Sequence, residues 1–251
     1  MRFRLQAFGL HLTGSATALT LVLGVLWLGW YQWPGWYLAS ALQVVGIVVM
    51  VDIVLGPTLT LIVANPGKPR AELARDIAII VAVQLIALGY GAVTLWGGRP
   101  LYYAFSVDRL ELVQASDLKA GDIGAGRREN PALAPYWYSR PRWIWAPLPE
   151  DPAEAQKIAM GTAFGGTDVV QMPRCFRPWE QGGAELRKRL QKVETMTAFS
   201  RGERRRLAER MRSRGLAADR PDALVMWGGS RRLLAVFDPD TLALRALIRA
   251  D

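Results

Sequence analysis

The 251-residue chain holds one cysteine, Cys175, and one histidine, His11. The first excludes an intrachain disulfide, and the second argues against a metal site built on histidine. Catalytic signatures are missing as well: the chain has no nucleophile elbow, Walker loop, HExxH or paired-cysteine motif. Its glycine cluster, Gly121-Asp122-Ile123-Gly124-Ala125-Gly126, lacks the strand-to-helix setting of a phosphate cradle. No cofactor, metal or catalytic residue is expected, and a binding role is favoured over an enzymatic one.

Charge is scarce too, but only in one part of the chain. Residues 1–99 carry nine charged side chains, whereas the other 152 residues carry 44. That imbalance implies two solvents, one apolar and one aqueous. A bilayer core of about 30 Å needs about 20 apolar helical residues, and three segments qualify: 12–31, 37–63 and 77–96. Asp52 is the one charged residue inside them. The first segment follows Arg2 and Arg4, as a signal peptide would, but it ends in Trp27-Leu28-Gly29-Trp30-Tyr31 without a small-x-small cleavage site. It reads as a retained anchor.

Trp30, Tyr31, Trp33, Trp36 and Tyr37 gather around Pro34-Gly35, as amphipathic rings do at a membrane interface. Near the span ends, Arg2, Arg4, Lys68, Arg70 and Arg75 lie on one side, against Arg99 and Arg109 on the other. The excess of basic residues places the N-terminus in the cytoplasm, and three crossings then deliver the C-terminal part to the periplasm. The expected fold class is a membrane α-helical domain of three transmembrane helices over residues 1–99, plus a periplasmic α+β soluble domain over 100–251 with a small antiparallel sheet.

Asp52 falls near the middle of the second span, where an ionised carboxylate costs at least about 2.5–3.5 kcal/mol. It is expected to face protein. Pro57 lacks an amide, so in an α-helix the carbonyl of Ile53 loses its donor and a kink forms at Gly56-Pro57. Gln84 and Tyr90 on the third span lie at depths from which either could hydrogen-bond Asp52. Two readings stay open: an interhelical fastener with no partner outside the chain, or recognition of another membrane helix. Small residues four apart, Gly14 with Ala18 and Ala87 with Gly91, suggest close helix packing. His11 and Ser15 share a face of the first span, and His11 reads as an interfacial polar group.

These same residues carry a family resemblance. Residues 51–63, VDIVLGPTLTLIV, followed by Asn65-Pro66-Gly67-Lys68, resemble the signature of the type IV pilin accessory proteins of the TfpX/TfpZ type. The likeness continues through Asp76, Gln84, ALGYG at 87–91, Arg99-Pro100 and FSVDR at 105–109. Beyond residue 115 it thins to Gly165-Gly166-Thr167-Asp168 with Pro173, and to Val236-Phe237-Asp238-Pro239. The resemblance implies an inner-membrane, chaperone-like protein that assists assembly of a particular type IV pilin. Its partners would be the pilin subunit, the lipid bilayer and other pilus assembly proteins, without nucleic acid. On that view Asp52, Gly56, Pro57, Gln84 and Tyr90 are the candidate partner-binding residues, with Asp52 facing a polar or cationic group at the N-terminal end of the pilin helix. The alternative is a membrane-anchored cell-envelope catalyst or transporter subunit with Asp52 in a proton or ion path.

In the soluble half, residues 101–113 predict a strand or strand pair. The stretch 118–183 holds eight of the 15 prolines, with Trp137, Trp143, Trp145 and Trp179 among them. It predicts ordered loops and one short helix near 151–160, with the tryptophans either packing loops or forming a peptide-binding surface. Residues 184–214 carry 11 Lys or Arg against four Glu and predict two short basic helices, one with a capping box from Ser200 to Glu203 and a stop at Gly215. Strands at 223–227, 233–237 and 242–248 predict a terminal antiparallel meander.

Overall fold

The computed structural model describes residues 1–250 and divides the chain into two compact units, Met1–Gly98 and Arg99–Asp251. The first unit contains the three long apolar helices: α1 (Arg2–Gly29), a second span over Ala41–Val63, and a third helix over Arg70–Gly97. Each is long enough to cross a bilayer at about 1.5 Å per residue. Their large apolar side chains, among them Leu21, Ile47, Leu59, Ile86 and Val93, face outward, which suits lipid and would be untenable in water.

The second span is less regular than its hydropathy suggests. A short helix, α2 (Gly35–Leu38), precedes it, and Ser40 at φ 53° interrupts the chain before α3 (Ala41–Val49). The span therefore starts at residue 41, not at 37. Met50–Leu55 then forms a π-helix, and α4 (Gly56–Val63) completes the crossing with Pro57 in its first turn. The third span is α5 (Arg70–Gly97). Interface aromatics tie the far ends together: the Tyr31 hydroxyl donates to the carbonyl of Leu95 at 2.7 Å, and Trp30 meets Trp96 edge-on at 5.0 Å.

The second unit corrects the expectation of a small antiparallel sheet. Seven strands form one mixed sheet in the order β4-β3-β1-β2-β5-β6-β7. They are β1 (Pro100–Ser106), β2 (Arg109–Gln114), β3 (Arg142–Trp145), β4 (Arg177–Pro178), β5 (Ala223–Gly228), β6 (Arg231–Phe237) and β7 (Leu244–Arg249). The terminal meander β5-β6-β7 is antiparallel, as is the hairpin β1-β2. What enlarges the sheet is two parallel pairings, β1 with β3 and β2 with β5. Both join strands far apart in sequence, and β3 is four residues long inside the proline-rich stretch, so no local period announces it.

Both faces of the sheet are buried, with Phe105, Leu110, Met226 and Leu233 on one, and two clusters share the opposite face. Tyr102, Ala104, Ile144 and Phe176 belong to one buried cluster, and Phe199, Leu207, Met211, Leu234 and Val236 belong to another. The helices include α6 (Ala120–Glu129), α7 (Pro152–Ala163), α8 (Gly183–Arg189) and α9 (Arg201–Arg212). The last two are the expected basic pair, and α9 carries the Ser200–Glu203 capping box and ends before Gly215 at φ 71°. Helix α6 runs through the glycine cluster despite poor propensity because Gly126 lies against Pro173, where a Cβ would sit 2.5 Å from the proline ring. Trp143 and Trp179 pack edge-on at 5.1 Å, and Trp179 stacks on Phe237, so these rings build core, whereas Trp137 is 71% exposed.

Candidate functional site in the membrane unit

The π-helical stretch decides the local chemistry. In this register the amide of Gly56 donates to the carbonyl of Val51, five residues back. The next donor in that ladder would be residue 57, which is proline and has no N–H. The carbonyl left without a donor is therefore that of Asp52, one residue earlier than the Ile53 expected from an α-helical register. Gln84 of α5 answers it: its side-chain Nε2 donates to the Asp52 carbonyl at 3.0 Å. Gly56 makes that approach possible, because a Cβ there would stand 2.1 Å from Gln84 Nε2.

Gln84 is the hub of a wider network. Its Oε1 lies 2.5 Å from His11 Nε2, and its Nε2 also donates to Ser15 Oγ at 3.3 Å. His11 Nδ1 is 2.5 Å from Thr60 Oγ1. The Asp52 carbonyl can only accept, so the amide nitrogen of Gln84 must face it and Oε1 must face His11. Nε2 of His11 therefore carries a proton and donates. Three helical segments of the span bundle are thus joined through polar side chains in a medium that offers no competing water.

Asp52 itself is 3% exposed, Thr60 and Gln84 are buried, and Gly56 and Pro57 are buried beside them. The carboxylate oxygen Oδ2 of Asp52 has no hydrogen-bond partner among the described residues. Gln84 fastens the residue through its main chain, and Oδ2 is left over. A groove of about 390 Å³ opens over this cluster, walled by Ala7, Leu10, Gly14 and Ala18 of α1 and by Ile77, Val81, Leu85 and Leu88 of α5, with His11, Ser15, Asp52, Thr60 and Gln84 also lining it.

Of the residues singled out from sequence, Asp52, Gly56, Pro57 and Gln84 come together. Tyr90 does not: it is 75% exposed on α5, and its own carbonyl accepts from the Thr94 hydroxyl. His11, Ser15 and Thr60 join the site without having been assigned to it. The four-residue spacing of His11 and Ser15 was a signal of a shared face, whereas Thr60 had no signal of its own. The small-residue pairs behave differently from each other. Gly91 packs so closely on Val48 that a Cβ would fall 2.3 Å from Val48 Cγ2, but a Cβ on Gly14 would have no neighbour within 4 Å. Gly14 faces the groove, not another helix of this chain.

In the soluble unit, motif residues that are distant in sequence also meet. Arg109 bonds Glu111 at 3.1 Å and Asp168 at 3.3 Å, with Asp108 at 3.6 Å. Burial raises the carboxyl of Glu111 above its usual range, with Arg109 opposing that rise. This cluster ties β2 to the segment after α7. Among the described residues no group of three or more His, Cys, Asp or Glu side chains is arranged to hold a metal.

Comparison with known proteins adds the biological setting. The fimbrial assembly protein of serogroup I from Dichelobacter nodosus is 26% identical over 189 residues, 74% of this chain and 70% of that protein. The serogroup E1 protein of the same organism is 24% identical over the same extent. The protein of serogroups C1 and C2 is 28% identical over 121 residues, 48% of this chain and 92% of that protein. The chain is a homologue of fimbrial assembly proteins. That finding bears out the resemblance to pilin accessory proteins read from the membrane motif. An alignment of 189 residues is longer than either unit, so both units share in the similarity. No family model matches the chain, and no solved structure matches it.

Proposed function

We propose that this membrane protein is a non-catalytic accessory of type IV pilus assembly, resident in the inner membrane, that binds a pilin subunit through its membrane helices and through its soluble domain. The observation that carries this reading is the coincidence of the fimbrial relatives with an intramembrane acid, Asp52, whose Oδ2 has no hydrogen-bond partner among the described residues. A buried acceptor in hydrocarbon is costly to keep and is retained where it meets something. The five basic residues flanking the spans on one side, against two on the other, support a cytoplasmic N-terminus and a periplasmic soluble domain.

Deletion of the gene in its own host, with surface pili and pilin transcript measured together, tests this function. Loss of pili with the transcript unchanged is expected; intact piliation contradicts the proposal. The orientation has its own test. Cys175 is 8% exposed, and burial raises its thiol above the usual range, so the native cysteine is a poor reporter. A Phe164→Cys variant, at a position 86% exposed, is expected to label with impermeant maleimide on intact spheroplasts. Labelling only after lysis would place the soluble domain in the cytoplasm.

A further inference from the structure

We infer that the groove between α1 and α5 is the seat of the transmembrane helix of a pilin subunit, and that this helix brings a hydrogen-bond donor to Asp52 Oδ2. The inference rests on the accessory function proposed above and assigns that function to a particular surface. Three observations converge on it. Asp52 is almost wholly buried, lines the groove, and keeps Oδ2 without a partner. A carboxylate oxygen left without a partner at that depth calls for a donor or a cation.

Depth then restricts the source. Asp52 stands 11 residues from the end of α4 at Val63, about 16 Å along the helix, beyond the reach of a lipid headgroup seated at the interface. An acyl chain can fill the groove but brings no donor. The spanning element that can carry a donor to this depth while satisfying its own backbone is a helix.

The walls suit that occupant. Gly14 and Ala18 lie four apart on α1, and a Cβ on Gly14 would meet nothing within 4 Å, so the backbone of a visiting helix can approach α1 closely there. Val81, Leu85 and Leu88 supply the apolar ridge opposite. Elsewhere in the same bundle an equivalent close approach is already filled, by Val48 against Gly91. The chain has thus used one of its small-residue surfaces internally and left the other lining the groove with Asp52.

Site-directed photocrosslinking in the native host, with the full chain, tests the seat. A photoreactive residue is placed at Ala18 or Leu88 in the groove, and at Val25 or Val93 on outward faces as controls. Pilin adducts are expected at the groove positions at a yield at least about fivefold above the controls, falling by a similar factor with Asp52→Leu, which removes the acceptor, as loss of one intramembrane hydrogen bond implies. Gly14→Leu, at a position where the fold has room, is expected to abolish the Leu88 adduct at unchanged protein level. Adducts to pilin from the control faces alone, to a second copy of this chain, to lipid alone, or no pilin adduct at normal protein level, each overturn the groove assignment. The deletion phenotype is independent of these outcomes, so failure of the groove and failure of the assembly function are told apart.

Discussion

In the membrane unit Leu21, Ile47, Leu59, Ile86 and Val93 face outward while Asp52, Thr60 and Gln84 are buried; in the soluble unit Phe105, Phe176, Phe199 and Phe237 are buried while Arg201, Arg205 and Arg212 face out. The same chain obeys opposite packing patterns because its two halves meet opposite solvents. In water, apolar burial drives folding, and exposed polar groups are satisfied by the solvent. In lipid, no such drive exists between helices, so a few polar contacts and close backbone approaches determine which faces meet. Polar residues are therefore the informative ones in the first unit, and apolar periodicity is informative in the second.

The largest expected effect sets the two patterns side by side. Phe237→Ala removes a fully buried ring from the sheet and should cost about 3–5 kcal/mol, whereas Leu59→Ala, at a position 46% exposed in the membrane unit, should change stability little. Denaturation in detergent micelles followed by tryptophan fluorescence measures both, and equal losses would contradict the contrast. Next comes the network. Gln84→Leu strands the Asp52 carbonyl and His11, at a cost of about 1–3 kcal/mol. In a Pro57→Ala background, which restores the missing amide, the same substitution should cost less, and the double-mutant cycle should return a coupling of about 1 kcal/mol. Additivity would show that the proline does not create the need for Gln84.

Smaller effects belong to the soluble unit. Val107, at the tip of the β1-β2 hairpin, has φ 49°, a left-handed conformation that a β-branched residue adopts at a cost. Val107→Gly should raise stability by about 0.5–1 kcal/mol, read from the denaturation midpoint. Asp238 caps the β6-β7 turn by accepting from the amides of Asp240 and Thr241 and pairs with Arg245, which holds its carboxyl at about 2. Its folded value lies below the unfolded one, so its contribution is present above about pH 4 and is lost as pH falls toward 2. Asp238→Asn should flatten the acid limb of the stability profile over that window, and an unchanged limb would remove Asp238 from the account.

Legibility in the sequence followed the same division. The three spans, Asp52, Gly56, Pro57 and Gln84 could be read because a single charge or proline stands out against a hydrocarbon background. The identity of the orphan carbonyl could not, since the shift from Ile53 to Asp52 depends on a π-helical register that has no local marker. In the soluble unit the meander, the basic helices and the Ser200 cap were visible as local patterns. The parallel pairings of β3 with β1 and β5 with β2 were not, because each is decided by residues dozens of positions apart. Helix α6 was hidden by its glycines, whose packing against Pro173 outweighs their propensity.

On the proposed function, Asp52 Oδ2 serves a partner and not the bundle. Asp52→Leu nearly keeps the size of the side chain, removes its acceptor oxygens and leaves the main-chain carbonyl bonded by Gln84, so the bundle should accumulate and resist denaturation as the wild type does. Pilin co-purification and surface piliation, measured at matched protein levels, should both fall sharply in this variant. Wild-type values for both, with the variant folded and abundant, would contradict the account and return Asp52 to an internal role.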